Sequence, residues 1–540
     1  MKKILLRTWV LLPVVIFAVI ALCFIACEDV NKPCTHVWGE WMVTTAPTCV
    51  ATGMGISVCT LCGETDPNTI IPIDINNHNL IIKTATATCT EGGDVTWKCD
   101  RTGCSYENEE IGRPALGHKW NWQETIAQTY IEAGEEKGIC VYNQTHVETR
   151  EKPILLITKT KCWDTARSQL NGRTGSYTLT VNGNVGINGI NTTDYSFGST
   201  PNASLIVTLK GNGKLYLINQ GHIVNIGANQ TLIIDSENLI LEGLTNGKNG
   251  ATQDNNKSSI NVNGKLVIKN GIVSGNTKYT NTNSDGGGGI HITNGNFEMS
   301  GGEIIDNSIR FTETLDIRGG GIYITNGNFE MSGGKISNNN VYSGYSGEGG
   351  GVYVDVEGIF TMTDGEISNN FARGNGGGVV INGYYSTASF TMFNGIISDN
   401  RNGSDLGGGV YIKENSTFTM NGGKILKNSN NWAGGGLYLS QSTSVFIMNG
   451  GEISGNHSNY SGGGICSTGK IYITNGIIYG SNEIESLRNT GGSGATLSHN
   501  NNGTPVTQYG TFSGLGGEWI SNGDLFQTDD TINVINGVLQ

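Results

Sequence analysis

Residues 319–339 read GGGIYITNGNFEMSGGKISNN. The run GGGIHITNGNFEMSGGEI at 287–304 repeats this pattern, with changes only at His291/Tyr323 and Glu303/Lys335. Looser copies follow. Their methionine anchors are Met299, Met331, Met362, Met392, Met420 and Met448; their asparagine anchors are Asn307, Asn339, Asn370, Asn400, Asn428 and Asn456. The period is 28–32 residues, a length that specifies a solenoid, a propeller or an array. Within one copy, Ile322/Ile324, Phe329/Met331 and the surroundings of Ile336 form three short runs with apolar residues two apart. Each run is therefore a strand with one buried face. Such runs are too short for the four strands of a propeller blade. They predict an all-β chain dominated by a right-handed parallel β-helix with three strands per turn.

The corners support this reading. Glycine triplets at 287–289, 319–321, 349–351, 376–378, 407–409, 434–436 and 462–464 permit positive φ and close backbone approach. The anchor asparagines can take the left-handed conformation, and their amides can hydrogen-bond along the axis as a ladder. A stacked rod of this kind needs caps. Residues 163–172 supply the first: Trp163, Ala166 and Leu170 share one helical face, and Gly172 ends the helix. The rod is expected over 175–505. A terminal cap follows over 506–540, where the alternating 531–539 segment closes the last coil.

At the amino terminus, Lys2, Lys3 and Arg7 precede an apolar run over 9–22. Ala26-Cys27 after such a run resembles a bacterial lipobox, although Phe24 stands where leucine is usual. The resemblance implies that residues 1–26 are a removed signal peptide and that Cys27 is lipidated and anchors the chain in a membrane. An ordinary signal peptide or an uncleaved anchor is the alternative; in each case the chain leaves the cytoplasm. The net charge of −13, without basic runs, argues against a nucleic-acid partner. Nine prolines and no Gly-X-Y period exclude collagen despite 81 glycines.

Residues 34–155 differ in kind, with eight of the twelve cysteines and a repeat near 40 residues. His36, His78 and His118 open three copies of a small Cys/His-rich β module. Cys49, Cys89 and Tyr130 align next, then Cys59, Cys99 and Cys140, then Cys62, Cys104 and His146. The run Pro47-Thr48-Cys49 with Cys59-Thr-Leu-Cys62-Gly63 resembles a repeat of surface proteins from gut and oral anaerobes, which implies an extracellular module and no chemistry. The ligand count suits tetrahedral zinc. The first copy would use His36 or His78 with Cys49, Cys59 and Cys62; the second would use His78 or His118 with Cys89, Cys99 and Cys104. Disulfides are the competing reading for an exported chain. Either would staple modules with thin cores.

The rod resembles the repeat regions of treponemal surface lipoproteins and, more distantly, the chlamydial polymorphic outer-membrane proteins. The shared Gly-Gly-apolar signature is present, and Ile336-Ser-Asn-Asn339 stands in for Phe-x-x-Asn. The stretch after Ile478 is too short for the terminal membrane barrel of the latter family. The resemblance implies a monomeric surface protein at the outer membrane or cell surface that adheres to host protein or glycan. Two surfaces suit that role. One is a stripe through His291, Tyr323, Tyr353, Val380, Tyr411, Tyr438 and Cys466, expected to face outward. The other comprises the variable loops carrying Phe311, Tyr342, Tyr345, Phe371, Arg373, Trp432 and Tyr460. For the stripe, aromatics that stabilise their own sheet are the plainer reading; for the loops, aromatics that cover their own coil stand level with recognition. Polysaccharide lyases and hydrolases also use β-helices, but no carboxylate pair or basic partner stands out beside Asp306, Asp316, Asp364, Asp399 or Asp405. No enzymatic role is expected, and a passive coat is the remaining reading.

Overall fold

The computed structural model describes residues 36–40, 42–61, 63–191, 194–198, 204–280, 286–311, 317–342, 347–403, 405–481, 483–491, 497–499, 518–520, 532–535 and 538–539. The amino-terminal segment with Cys27 lies outside the described residues, as do Cys62, Tyr345, Asp316 and most of 506–540. Contacts divide the described chain into two units. One runs up to Thr125 and includes Glu136–Arg150; the other holds Ile126–Glu135 and the chain from Glu151 onward.

Each Cys/His repeat makes one three-stranded sheet. The first comprises β1 (Met42–Thr45), β2 (Gly53–Val58) and β3 (Thr65–Ile71), and the second β4 (Leu80–Ala85), β5 (Gly93–Cys99) and β6 (Glu107–Arg113). The third comprises β7 (Trp120–Ile126), β8 (Gly134–Cys140) and β9 (Val147–Lys152). A threonine sets the first reversal in every copy. Its hydroxyl accepts from the backbone N–H three residues on: Thr48 from Ala51 at 3.0 Å, Thr88 from Glu91 at 2.9 Å and Thr129 from Glu132 at 2.9 Å. The core of these sheets is thin. In the first unit the buried apolar side chains among the described residues are Cys59, Ala87, Cys89, Val95, Cys99 and Cys140. Sheets this small need a further staple.

From residue 175 to 467 the chain winds about nine turns of a parallel β-solenoid. A regular turn contains four strand segments where the sequence suggested three. In the turn opened by Gly319 they are Ile322–Ile324, the two halves of the continuous strand Asn328–Ser337, and Asn340–Tyr342. The last segment was missed because its three residues carry no apolar alternation. Successive turns pair parallel and in register, so Phe297 lies over Phe329 and Met299 over Met331. The stacked segments build ten-, seven- and twenty-three-stranded sheets. At the far end, Glu518–Ile520 and Ile532–Ile535 pair antiparallel with Lys470–Ile473 and Gly476–Ile478, which ends the parallel stack.

Repetition fills the lumen with columns of like side chains. Phe297, Phe329, Phe360, Phe390 and Phe418 stack with centroids 4.4–4.7 Å apart and planes within 5°. The anchor asparagines form the expected ladder: each Nδ2 donates to the next Oδ1, from Asn307 to Asn489, at 3.0–3.1 Å. The left-handed corner, however, falls one residue earlier, at Asp306, Asn338, Asn369, Asp399 and Lys427. The middle glycine of each triplet is sterically required. A Cβ on Gly320 would lie 2.6 Å from the Gly350 carbonyl oxygen and 2.7 Å from that of Asn340.

The first coil is closed by α1 (Thr160–Leu170), which buries Trp163, Ala166 and Leu170 as the sequence suggested. Trp163 meets Phe197 edge-on at 6.5 Å, and Arg167 Nε donates to the Ser196 carbonyl at 2.8 Å.

Candidate functional site

The ends of the small sheets decide where the cysteines meet. In each module the histidine precedes the first strand. The Cys59/Cys99/Cys140 position ends or just follows the second strand, and the last ligand position sits in the turn after it. These three positions share one end of the sheet. The first cysteine lies in the reversal between strands one and two, at the opposite end, which is also where the chain leaves for the next module.

The clusters accordingly form across module boundaries. Cys49 of the first module meets His78, Cys99 and Cys104 of the second, with all four ligand atoms within 4.8 Å of one another. Cys49 Sγ lies 3.5 Å from Cys99 Sγ, and Cys104 Sγ lies 3.3 Å from His78 Nδ1. Cys89 of the second module meets His118 and His146 of the third in the same way, with Cys89 Sγ 3.1 Å from His146 Nδ1. Cys140 lies beside this group, hydrogen-bonded to Cys89 and to His118.

The expected sets, which kept Cys49 with Cys59 and Cys62 and Cys89 with Cys99 and Cys104, are therefore regrouped. Cys62 lies outside the described residues; His36 stacks on Trp38 and faces Glu64 at 3.3 Å, outside both clusters, as is Cys59. Neighbouring aromatics hold the ligating rings too: His78 stacks on Tyr106 and His118 on Trp120.

The electrostatics favour one thiolate at each cluster, Cys99 and Cys140, while Cys104 and Cys89 are held up. Burial pushes the Cys99 thiol up. The Arg101 backbone N–H and hydrogen bonds from His78, Cys104 and Cys49 outweigh it and lower its pKa to about 6. Burial likewise opposes ionisation of Cys140, but His118 and the backbone N–H groups of Tyr142 and Asn143 bring it to about 6. Burial pushes Cys89 up, and so does the neighbouring Cys140. The first cluster offers three thiols and one imidazole, the second one thiol and two imidazoles with the Cys140 thiol beside it. Both groups can hold a metal ion. The thiols are free. Their spacing is close to the roughly 3.8 Å edge of a tetrahedron with ~2.3 Å metal–sulfur bonds.

The tyrosine stripe is corrected. Its side chains point away from the lumen, but Tyr323, Tyr353, Val380 and Tyr411 are buried and pack together, with Tyr438 half-buried beside them. A polar network lies within this layer. Tyr323 Oη donates to Asp355 at 2.9 Å, Arg318 pairs with the same carboxylate at 2.8 Å, and Tyr353 Oη donates to Glu348 at 3.3 Å. Lys413 pairs with Glu348 at 3.0 Å. Burial and Asp355 push the Tyr323 phenol up to about 12. Burial opposes the Arg318 charge, yet Tyr353 and Asp355 hold it protonated. Arg318, Glu348, Asp355 and Lys413 each occur once rather than periodically, so the repeat did not reveal them.

The exposed chemistry lies on the segment after each anchor asparagine. Tyr279, Arg310 and Tyr342 stand in one register column, with Phe371 and Arg401 paired on the next turns. Arg310 lies over the Tyr342 ring at 5.7 Å and Arg401 over Phe371 at 5.0 Å. Asn340, Tyr342, Asn369, Phe371, Asp399 and Arg401 line a shallow recess. Farther along, Trp432 and Tyr460 pack with centroids 4.5 Å apart and planes tilted by 33°, and both are more than half exposed.

No family model, no curated protein and no solved structure matches the chain. The reading of function rests on the residues themselves.

Proposed function

We propose that the protein is an exported, lipid-anchored surface rod that binds glycan or host protein through the solenoid edge after the asparagine ladder. The recess at Tyr342, Phe371 and Arg401 carries this reading. A partly exposed aromatic pair, Tyr342 and Phe371, flanked by amides, a carboxylate and guanidinium groups, offers the mixed stacking and hydrogen bonding that sugar rings take. A repeating scaffold also sets such groups at a regular rise, which suits a linear polymer. The acidic balance and the lipobox-like Ala26-Cys27 agree with display outside the cell. In the modules the Cys/His clusters are read as structural zinc sites, because three thiols in one cluster cannot all pair as disulfides within it.

The test is binding of the full chain to immobilised glycans and extracellular-matrix proteins. Saturable binding is expected. It should fall at least tenfold in Tyr342→Ser/Phe371→Ser and stay unchanged in Tyr438→Ser. Binding that ignores the first pair would move recognition off this edge, and no binding to any surface would favour a passive coat.

Polysaccharide cleavage is the second reading, favoured by the converging Arg318, Glu348, Asp355 and Lys413. Their carboxylates are buried and already paired, which suits a structural tie better than a groove open to substrate. Cleavage lost in Asp355→Asn would reverse that preference.

A further inference from the structure

We infer that the metal in the Cys/His segment is a joint between modules, with one site shared by each successive pair, and that Cys140 is the fourth ligand of the second site. This rests on the zinc reading above and goes beyond it. A site inside one module would only stiffen that module. A shared site fixes the geometry between two.

Three observations converge. Both clusters take one ligand from the far end of a module and the rest from the near end of its successor. The two joints use the same spacing, because Cys49 precedes His78 and Cys89 precedes His118 by the same 29 residues. In every module the reversal carbonyl also takes an N–H of the chain leaving the third strand, Thr48 from Asp74 at 3.1 Å, Thr88 from Leu116 at 2.9 Å and Thr129 from Leu155 at 2.8 Å, so the first ligand position is held beside the exit to the next element. At the first joint the Cys49 N–H also donates to the Asn77 carbonyl at 3.2 Å, and Arg101 bridges that carbonyl and Cys49 Sγ. The protein framework thus brings the two halves of each site together, and the ion closes them.

The rule also accounts for the departure in the third copy. No fourth module follows it, and the position of Cys49 and Cys89 is filled by Tyr130. Tyr130 belongs to the solenoid unit. There its N–H donates to Gln169 Oε1 at 3.2 Å, its hydroxyl bonds Cys162, and its ring packs on the core. A ligand position becomes a packing residue where the next element is the solenoid cap.

Cys140 completes the second site by analogy of position with Cys99 and by its contacts with Cys89 and His118. Deprotonated thiolates and neutral imidazoles then give a Cys3His joint followed by a Cys2His2 joint, each a closed set without an open coordination position.

The experiment is a cobalt(II) titration of the reduced full chain, read by thiolate-to-cobalt charge transfer and d–d bands, with displacement by zinc(II). The parent should take up at least two equivalents. Cys49→Ser/Cys99→Ser removes two ligands of one shared site, so it should lose one equivalent relative to the parent. A loss of two would place these cysteines in separate sites and overturn the inference while leaving metal binding intact. No cobalt uptake by the parent would sink the zinc reading itself. Cys140→Ser should weaken one equivalent at least tenfold; an unchanged titration would remove Cys140 from the site. Cys49→His guards against a merely misfolded variant: it should keep the parent stoichiometry while charge transfer at that joint drops by about a third, because one of three thiolates is replaced. Unchanged stoichiometry together with undiminished charge transfer in Cys49→His would show that Cys49 is not a ligand and overturn the inference.

Discussion

The side-chain amide of Asn370 donates to Oδ1 of Asn400, one turn further along the solenoid, at 3.0 Å, and both residues are sealed from water. The same Oδ1 of Asn400 also accepts the Asn370 backbone N–H at 3.0 Å, while Asn370 Nδ2 reaches back to the Ile336 carbonyl at 2.9 Å. The Asn370 side chain thus satisfies two backbone groups of the preceding turn, the Ile336 carbonyl and, at 2.9 Å, the Asn339 N–H, and its amide ties it to the side chain of the next turn. Asn370→Ala strips these partners inside the wall, at about 1–3 kcal/mol for each group left unpaired. The urea midpoint of the solenoid should fall clearly. Asn369→Gly is the control, because Asn369 occupies the left-handed corner, where glycine is at ease. It should leave the midpoint nearly unchanged. Equal losses in both would mean that the corner, and not the ladder, carries the stability.

Gly320→Ala probes the triplet. The added methyl would meet two carbonyl oxygens at 2.6 and 2.7 Å, and both belong to backbone that pairs with neighbouring turns. Neither can retreat without opening a parallel ladder. A loss of at least ~2 kcal/mol is expected, as for overpacked interiors generally. Thermal unfolding followed by far-UV circular dichroism measures it. A shift below about 2 °C would show that the turns can slide apart and that the triplets serve another purpose.

Which features the sequence revealed follows from how each is encoded. The Phe297-to-Phe446 and Met299-to-Met448 columns repeat in six successive turns, so the lumen and its parallel stacking were legible. The asparagine ladder was legible for the same reason. The post-asparagine strand was not, because Ser308–Arg310 and Phe371–Ala372 are too short to show a period. The cysteine sets were misgrouped because a sequence repeat marks a module and cannot show that Cys49 serves the next one. Tyr323 and Tyr353 lie in register on successive turns, as the period implied, but their burial depends on residues such as Arg318 and Asp355 that occur once. Periodicity therefore marked the scaffold and the ligand positions, and it hid the pairing across module boundaries and the residues that occur once.

Asp355 ties that buried layer together. It accepts from Tyr323, Arg318 and, at 2.8 Å, from Asn382. Asp355→Ala leaves the Arg318 guanidinium buried without its counter-charge, a change that typically costs about 3–5 kcal/mol. Asp355→Asn retains part of the hydrogen bonding and should cost less. The order parent, Asn, Ala in denaturant midpoint is expected. If the two variants match the parent, the network is bridged by solvent and is open enough to deserve assay as a binding groove.

Acid should loosen the solenoid in a defined window. Glu242, Glu366 and Glu452 each pair with a lysine: Glu242 with Lys214 at 2.6 Å, Glu366 with Lys335 at 2.9 Å, and Glu452 with Lys424 at 2.8 Å. Burial raises each carboxyl somewhat. The hydrogen bonds from the lysines, together with Asn249, Ser368 and Ser454, outweigh it and hold all three below the ordinary value of 4.5. A depressed folded pKa means that the unfolded chain binds protons first as the pH falls. The contribution is therefore complete above about pH 4.5 and is lost as the pH drops through the lower folded values. These pairs are partly exposed, so each is worth about 0.2–1 kcal/mol, and less in salt. Urea midpoints at pH 7, 4.5 and 3 should stay level over the first interval and fall over the second. Lys214→Met/Lys335→Met/Lys424→Met should flatten the acid limb without steepening it anywhere. A midpoint that already falls between pH 7 and 5 in the parent would assign the acid sensitivity to other groups.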